Sequence, residues 1–268
     1  MSTLRYMDQA AFNGRIVATS ELRVSVLGDG FMFGQGLFET IKVVGGKAVF
    51  FDDHVARLSR SAPVLGLKLV SDGAQLRTRC ETVIGANGLV DGNVKVILFQ
   101  DEGGAGEIVL ARAGLYPAAF YERGFRLKTE MAGARGSLAG HKTLNYFENI
   151  AAKRRAAAAG FDEPVLVDSA GGVLEGATTN VFIVKGGRVL TPATDGRILP
   201  GVVRGRVLRA LGDRGSVDVV SLKQLREADE VFVTNALIGV MPVSQVDEQA
   251  YDLGKNSITR GLMAALVV

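Results

Sequence analysis

Residues 137–160 read SLAGHKTLNYFENIAAKRRAAAAG, and they carry the residue on which the interpretation of the whole chain depends. A glycine-rich lead ends near Lys142. The alanine-rich run behind it predicts a helix over residues 143–159 that stops at Gly160, because glycine readily ends a helix. We therefore expect Lys142 at a backbone bend and not on a solvated helix face. A buried lysine has a lowered pKa, which makes its amine available as a nucleophile or a base.

Strand and helix patterns alternate on the N-terminal side of this stretch. Strand patterns at residues 37–44 and 47–51 flank Gly45-Gly46 and predict a hairpin, since two glycines supply the positive φ of a tight turn. Asp52 and Asp53 are expected to cap the helix that follows. Further along, the patterns predict a helix at residues 72–87, strands at 92–100 and 107–116, and a hairpin tip or mobile loop at the glycine-rich residues 101–106.

Strand patterns prevail on the C-terminal side. They predict strands at residues 125–131, 164–168, 178–184 and 188–192, a helix from near Pro200, more strands within 229–243, and a short closing helix. Residues 116–124, YPAAFYERG, interrupt the pattern with a proline and a glycine. We therefore predict a small α/β domain at residues 1–118, an interdomain linker at 119–124 and a larger domain at 125–268, in an α/β or α+β fold.

The composition is that of a globular chain with ample core material. Hydrophobic residues make up 47% and charged residues 22% of the 268, which excludes a disordered chain and a small disulfide scaffold. One cysteine, Cys80, and two histidines, His54 and His141, are too few for a zinc site, so no metal is expected. No apolar run is long enough for a membrane span and no signal peptide is apparent, so the cytoplasm is the expected location.

The net charge of +3 comes from charges that are scattered singly or in pairs. The densest cluster, Lys153-Arg154-Arg155, lies on the predicted helix, where we expect it to form a solvated face. Because no aromatic residues are interleaved with these charges, no nucleic-acid partner is expected. A small anionic ligand suits the charge balance better.

Four further segments place polar residues at the ends of predicted elements, although the chain has no phosphate-binding loop, dinucleotide fingerprint or nucleophile elbow. They are Arg57 in HVARL, EGATTN at residues 175–180, LPGVVR at 199–204, and Thr234-Asn235-Ala236 after the strand DEVFV. The third segment combines a glycine with first-turn helix amides, which is an anion site. Taken alone, each segment more often has a structural role, such as a tight turn or a proline-started helix.

Together and in this order, Lys142 and these four segments resemble the class IV aminotransferase family, the fold-type IV pyridoxal phosphate enzymes. The resemblance runs from about Phe31 to about Val243. The family includes branched-chain aminotransferases, D-amino acid aminotransferases and aminodeoxychorismate lyase. The resemblance implies pyridoxal 5'-phosphate as the cofactor, a larger pseudo-barrel domain that binds it, a small-molecule amine or amino acid as substrate, and a homodimer.

The resemblance also implies a role for each candidate residue. Lys142 would be the catalytic residue, which forms a Schiff base with the cofactor and then serves as the base in proton transfer. Glu175 would pair with the protonated ring nitrogen of the cofactor. The remaining cofactor contacts would come from Arg57, Val202, Val203 and Thr234 at the phosphate, Leu199 on the ring face, and Tyr146 near the ring hydroxyl. Substrate contacts would come from Phe38, Asn235 and Ala236.

The residues leave the type of reaction open. TNALIGVMPV resembles the aminodeoxychorismate lyase branch, because an asparagine follows the threonine, whereas LPGVVR and ADEVF are equally common among branched-chain aminotransferases. Members that bind an amino-acid carboxylate often have a basic residue where this chain has Gln100, and Arg112 or Arg135 is the alternative here. We expect pyruvate elimination that gives 4-aminobenzoate. The alternatives are transamination between a branched-chain or D-amino acid, or an amine, and a 2-keto acid, and a non-catalytic carrier of the cofactor.

Overall fold

The computed structural model describes residues 6–133 and 135–266, which form two compact units. The first unit comprises the chain up to Leu115 together with His141–Asn145. The second comprises Tyr116–Gly140 and the chain from Tyr146 onward. None of the helices in the described ranges has the length and apolar character needed to cross a bilayer.

The first unit is a six-stranded antiparallel sheet with helices. Its strands are β1 (Gln9–Phe12), β2 (Arg15–Ala18), β3 (Gly36–Val44), β4 (Lys47–Ala48), β5 (Gly92–Asp101) and β6 (Gly104–Ala113). Its helices are α1 (Asp29–Met32), α2 (Phe51–Ser61) and α3 (Gly73–Ala86), and short 3₁₀ turns lie at Thr19–Glu21 and Pro63–Leu65. The strand order is β2-β1-β6-β5-β3-β4.

The two faces of β3 have different surroundings in the first unit. Because successive strand residues point to opposite faces, Leu37 and Ile41 enter the core formed with α2 and α3. Phe38 and Lys42 lie on the other face. The predicted hairpin is present, but its second strand ends at Ala48.

The prediction that Asp52 and Asp53 cap α2 was wrong. The helix begins at Phe51, after Phe50 with a φ of 52°, so both aspartates lie within the first turn. Carboxylates there still favour the helix through its dipole. The helix predicted from residue 143 was also wrong at its start, because it begins at Phe147. The glycine-rich residues 101–106 extend the strands on both sides, which leaves only residues 102–103 at the tip.

The second unit contains ten strands and five helices. Its strands are β7 (Phe125–Met131), β8 (Glu163–Val167), β9 (Gly172–Gly176), β10 (Asn180–Lys185), β11 (Arg188–Pro192), β12 (Gly215–Asp218), β13 (Val220–Ser221), β14 (Glu230–Asn235), β15 (Gly239–Val246) and β16 (Gln249–Ala250). Its helices are α4 (Ala118–Arg123), α5 (Phe147–Ala158), α6 (Val202–Leu211), α7 (Leu222–Arg226) and α8 (Ser257–Ala265), with 3₁₀ turns at Gly212–Arg214 and Leu253–Lys255.

The sheet of the second unit curls until its ends meet. The strand order is β12-β11-β10-β14-β15-β7-β8-β9-β13, with β16 paired to β15. The two end strands are joined by Val219 alone. Leu127, Val165, Val233 and Met241 fill the enclosed core and are fully buried. The predicted mixed fold with a pseudo-barrel is confirmed.

The predicted linker at residues 119–124 is a helix. Within α4, the Tyr121 hydroxyl donates to the carbonyl of Ile238 at 3.0 Å. The ring of Phe120 contacts the edge of Phe125 with centroids 5.9 Å apart. Both contacts lie within the second unit. The domain limits drawn from the sequence stay a prediction.

Candidate active site

Lys142 lies in a segment, His141–Asn145, that pairs with the start of β3. The amide of Phe38 donates to the carbonyl of Lys142 at 2.8 Å, and the amide of Leu144 donates to the carbonyl of Gly36 at 2.9 Å. The segment therefore behaves as a short extra strand of the first unit. The backbone of the candidate nucleophile is fixed by main-chain bonds and does not depend on a helix.

The side chain of Lys142 is also held by Phe38. Its Nζ lies 4.4 Å from the centroid of the Phe38 ring, and the Nζ of Lys95 lies 4.5 Å from the same centroid. A cation over an aromatic face gains about 0.5–2 kcal/mol, depending on how far water is excluded. Phe38 thus contacts Lys142 through both its amide and its ring.

A buried carboxylate on β3 organises one face of α2. Glu39 accepts from Arg57 Nε at 2.8 Å and Nη2 at 2.5 Å, and from His54 Nδ1 at 2.7 Å. Burial acts to raise the pKa of the Glu39 carboxyl, but Arg57 and His54 outweigh it and lower that pKa to about 2. Arg57 is thereby held rigidly, and its contact with a phosphate stays a prediction.

Glu175 ends β9 in the second unit with both carboxylate oxygens engaged. Oε1 forms an ion pair with Arg135, and Oε2 accepts from the amide of Leu199 at 3.0 Å and from Asn180 Nδ2 at 3.4 Å. These donors favour the ionised carboxylate and fix its direction. Arg135 also donates to the carbonyl of Arg197 at 3.0 Å, so here it belongs to the surroundings of Glu175.

The turn after Glu175 is fastened by a second buried carboxylate. Glu163 is fully buried, and its Oε1 accepts from the amide of Thr178 at 2.5 Å and from the Thr178 hydroxyl at 2.9 Å. Lys153 Nζ lies 2.9 Å from the other oxygen. Burial acts to lower the pKa of Lys153, but Glu163 outweighs it and raises that pKa. The predicted solvated face was therefore wrong for Lys153, although Arg154 is exposed.

Tyr146, the residue before α5, bonds the same turn. Its hydroxyl donates to the carbonyl of Ala177 at 2.8 Å, and Asn149 Nδ2 donates to that carbonyl at 2.7 Å. A contact between Tyr146 and the ring hydroxyl of a cofactor stays a prediction.

The start of α6 and the end of β14 provide donors for an anion. Gly201 precedes the helix, and Val202 and Val203 lie buried in its first turn, where amides lack partners within the helix. The hydroxyl of Thr234 is buried without a hydrogen-bond partner among the described residues. A side chain at position 201 would place its Cβ 2.0 Å from Asn180 Oδ1, so only glycine allows this close approach.

This arrangement fits a bound phosphate. A buried hydroxyl with no hydrogen-bond partner costs about 1–3 kcal/mol, and an anion that accepts a hydrogen bond from it would recover this free energy. The N-terminus of α6 adds a positive dipole end on the same side of the unit, because Thr234 pairs in register with Asn180, the residue that Gly201 approaches.

Asn235 uses its side chain to build the turn between β14 and β15. Its Oδ1 accepts from the amides of Leu237 and Ile238 at 2.8 and 2.9 Å, and its Nδ2 donates to the carbonyl of Thr178 at 3.2 Å. Substrate contacts from Asn235 and Ala236 stay a prediction.

Arg112, a candidate for binding the substrate carboxylate, shares one face of the first sheet with Lys95, a basic residue that the sequence interpretation missed. The pKa of Lys95 is lowered by burial and, to a smaller extent, by Arg112. Arg112 has a buried Nε without a hydrogen-bond partner in the described part of the chain. Gln100 donates to the neighbouring carbonyl of Asp101 at 3.0 Å. The strand GNVKVILFQ does contain the signal, because Lys95 alternates with apolar residues in a buried strand.

No group of three or more His, Cys, Asp or Glu side chains in residues 6–133 and 135–266 is arranged to hold a metal ion. The free thiol of Cys80 is buried, and burial raises its pKa to about 12, so it is a poor nucleophile.

The sequence matches the family model of amino-transferase class IV over residues 36–246. The chain belongs to the class IV aminotransferase family. It is 29% identical to a D-alanine aminotransferase of Bacillus licheniformis over 95% of this chain and 94% of the relative. It is 30% identical to a putative branched-chain-amino-acid aminotransferase of Methanocaldococcus jannaschii over 88% of this chain and 86% of the relative.

Solved structures show the same fold. A branched-chain aminotransferase of Thermoproteus uzoniensis aligns with a TM-score of 0.88 at 25% identity, over 98% of this chain and 94% of that chain. A putative 4-amino-4-deoxychorismate lyase of Legionella pneumophila aligns with a TM-score of 0.85 at 25% identity, over 93% and 96%. Members of this family use pyridoxal phosphate, and this chain is a pyridoxal phosphate-dependent enzyme, either an aminotransferase or a lyase.

Proposed function

We propose that the chain is an aminotransferase that acts on an amine bearing a carboxylate, with Lys142 as the catalytic residue. The cofactor part of the proposal rests on the buried hydroxyl of Thr234, which has no hydrogen-bond partner in the described part of the chain and lies on the side of the second unit where Gly201 precedes α6. Phosphate is the group of the cofactor that satisfies such donors.

The residues then take distinct tasks. Thr234, the first-turn amides of α6 and Arg57 hold the phosphate, and Glu175 keeps a proton on the ring nitrogen. When bound, the cofactor supplies an electron sink at the substrate carbon that bears the amine. Lys142 holds the cofactor and moves the proton at that carbon. Phe38 keeps the Lys142 ammonium oriented and excludes water from one side.

We favour transamination because Asn235, the residue that pointed to the lyase branch, does not distinguish the two reactions in the structure. Its side chain is engaged with the backbone of its own turn, so the Thr-Asn sequence specifies a turn whichever reaction follows. The two relatives described above are named as aminotransferases. Pyruvate elimination, the reaction expected from the sequence, becomes the second candidate, and the likeness to the Legionella pneumophila protein favours it.

Lys95 and Arg112 support a carboxylate on the substrate. Both are cations on one sheet face, and repulsion from Arg112 adds to burial in lowering the pKa of Lys95. The buried Nε of Arg112 has no hydrogen-bond partner among the described residues. An anion between them removes that repulsion. We expect Lys95→Met to raise KM for an acidic substrate at least tenfold, while KM for an amine without a carboxylate changes little.

Cofactor binding is tested by visible absorbance. The purified chain is titrated with pyridoxal phosphate, and Lys142→Ala is compared with Lys47→Ala, which removes an exposed lysine. We expect a visible band beyond that of the free cofactor in the parent and in Lys47→Ala, and none in Lys142→Ala. A parent that takes up the cofactor without a new band would contradict the role of Lys142.

The reaction is tested by products. D- and L-amino acids are supplied with 2-oxoglutarate or pyruvate, and amino-group transfer is measured, while pyruvate release is measured from aminodeoxychorismate. Transfer without pyruvate release supports the aminotransferase. Pyruvate release without transfer establishes the lyase. If neither product forms while the absorbance band is intact, the result supports a non-catalytic carrier of the cofactor.

A homodimer and a cytoplasmic location are also part of the proposal. The segment between β2 and β3 exposes a run of apolar side chains that a second copy could cover: Val24, Val26, Leu27, Phe31, Met32 and Phe33. Light scattering after gel filtration gives the molar mass, and a single species at the monomer mass would contradict the dimer. The free thiol of Cys80 is compatible with a reducing compartment.

A further inference from the structure

His141 immediately precedes Lys142 and forms a side-chain hydrogen bond that has no part in the proposed chemistry. Its Nδ1 lies 2.9 Å from the hydroxyl of Ser61, near the end of α2. Ser61 is 4% exposed and His141 is half-buried, so the bond is partly shielded from water. A buried hydroxyl that bonds the residue beside the catalytic lysine is a direct link between α2 and the lysine segment.

The link belongs to a continuous polar stripe on α2. His54, Arg57 and Ser61 are spaced by three and four residues, which puts them on one helix face, and all three are buried. The first two bond Glu39 of β3, and the third bonds His141. The same helix face therefore holds both the strand and the segment that pairs with it.

The two ends of the lysine segment are held differently. On the C-terminal side, Leu144 donates its amide to Gly36 of β3. On the N-terminal side, the side-chain bond from His141 to Ser61 fixes the chain as it enters the segment. The direction of the Cα–Cβ bond of Lys142 depends on both anchors.

We propose that His141 is a positioning residue for Lys142, acting through its hydrogen bond to Ser61 of α2. The inference rests on the proposed role of Lys142. A serine hydroxyl both donates and accepts, so the bond forms with either tautomer of the imidazole and with the imidazolium. The function of the bond is therefore geometric, and an asparagine amide at position 141, which reaches the same place as Nδ1, replaces it.

The test is a double-mutant cycle on the holoenzyme at saturating pyridoxal phosphate and substrate. His141→Leu and Ser61→Ala each remove the bond, and His141→Asn keeps it. We expect kcat to fall about tenfold in each of the first two, because small displacements of a reacting group are costly. The double variant falls no further than either single one, and His141→Asn stays within twofold of the parent.

Two controls separate this inference from other outcomes. The visible band of the lysine-bound cofactor is expected in every variant, and its absence from the parent would defeat the proposed function instead. Unfolding midpoints are expected to agree within about 2 °C. Losses that multiply in the double variant, an Asn variant as slow as the Leu variant, an unchanged kcat throughout, or kcat losses that follow the unfolding midpoint would each overturn the positioning role.

Discussion

Two irregular segments, one in each unit, carry or support candidate catalytic groups, and they are held in different ways. The lysine segment, His141–Asn145, is held mainly by main-chain bonds to β3. The turn Gly176–Thr179 is held by side chains, with the buried Glu163 accepting from the amide of Thr178 and the half-buried Tyr146 donating to the carbonyl of Ala177.

The difference concerns how substitutions are tolerated. Main-chain pairing does not depend on most side chains, so the lysine segment should accept changes at positions that do not face the site. The turn Gly176–Thr179 depends on polar groups that have left water, and each one removed leaves a buried partner unsatisfied. We therefore expect the turn to be the fragile segment.

The largest effect is expected for Lys153→Met. This change leaves the fully buried carboxylate of Glu163 without its cation, which we expect to lower the free energy of unfolding by about 3–5 kcal/mol. Urea unfolding measures the loss. Arg154→Met, at the exposed neighbouring position, is the control and should change stability by less than about 0.5 kcal/mol. Equal losses of unfolding free energy in the two variants would show that the turn does not depend on the buried ion pair.

Acid sensitivity tests whether the region around β3 also depends on buried charge. The pKa of Glu39 is lowered from 4.5 to about 2, so its contribution is complete above pH 4.5 and is lost as the pH falls through about 2. That contribution is about 3 kcal/mol. Unfolding free energies measured over this range should fall less steeply in Glu39→Gln than in the parent. Glu81→Gln, at an exposed position, should show the same steep fall of unfolding free energy as the parent.

Glu175→Gln tests the chemical role of the residue that precedes the turn Gly176–Thr179. We expect it to bind pyridoxal phosphate but to lower kcat about 100-fold, because a neutral amide does not hold the proton on the ring nitrogen. Steady-state kinetics at saturating cofactor measure kcat, and the exposed Glu122→Gln serves as the matched control. Turnover near that of the parent would exclude Glu175 from this role.

The smallest effect is expected from a matched pair that deletes one side-chain bond in each segment. Asn145→Ala removes an exposed bond of 3.2 Å to the carbonyl of Gly34 and should cost less than about 0.5 kcal/mol. Thr178→Ala removes the hydroxyl bond to Glu163 and should cost about 1 kcal/mol. Chemical unfolding of both variants under the same conditions measures the two losses of unfolding free energy. A reversed order would show that main-chain pairing does not protect the lysine segment.

Sequence signals predicted the parts of the fold that depend on neighbouring residues. The hairpin at Gly45-Gly46, the start of α6 after Pro200 and the strand before Thr234 all follow from local turn chemistry and alternation. The class IV resemblance predicted the family, which the match over residues 36–246 confirms. The roles of the individual site residues stay predictions.

The errors share a physical cause, which is contact between residues far apart in the chain. Residues 143–146 were included in the predicted helix because an alanine-rich run follows them, but Thr143 instead forms a bridge with Leu37 of β3. Lys153 follows a solvated pattern, yet a carboxylate ten positions later draws it inward. The bond between His141 and Ser61 spans 80 positions, and no local pattern reveals it.

Both sheets end in short strands, with four residues in β2 and β12 and two in β4 and β13. A long, flat outer strand is a template on which another chain can add by backbone pairing, whereas strands this short offer few exposed amides and carbonyls. The chain is consequently well protected against amyloid-like growth from its folded state, and aggregation at high concentration should require prior unfolding.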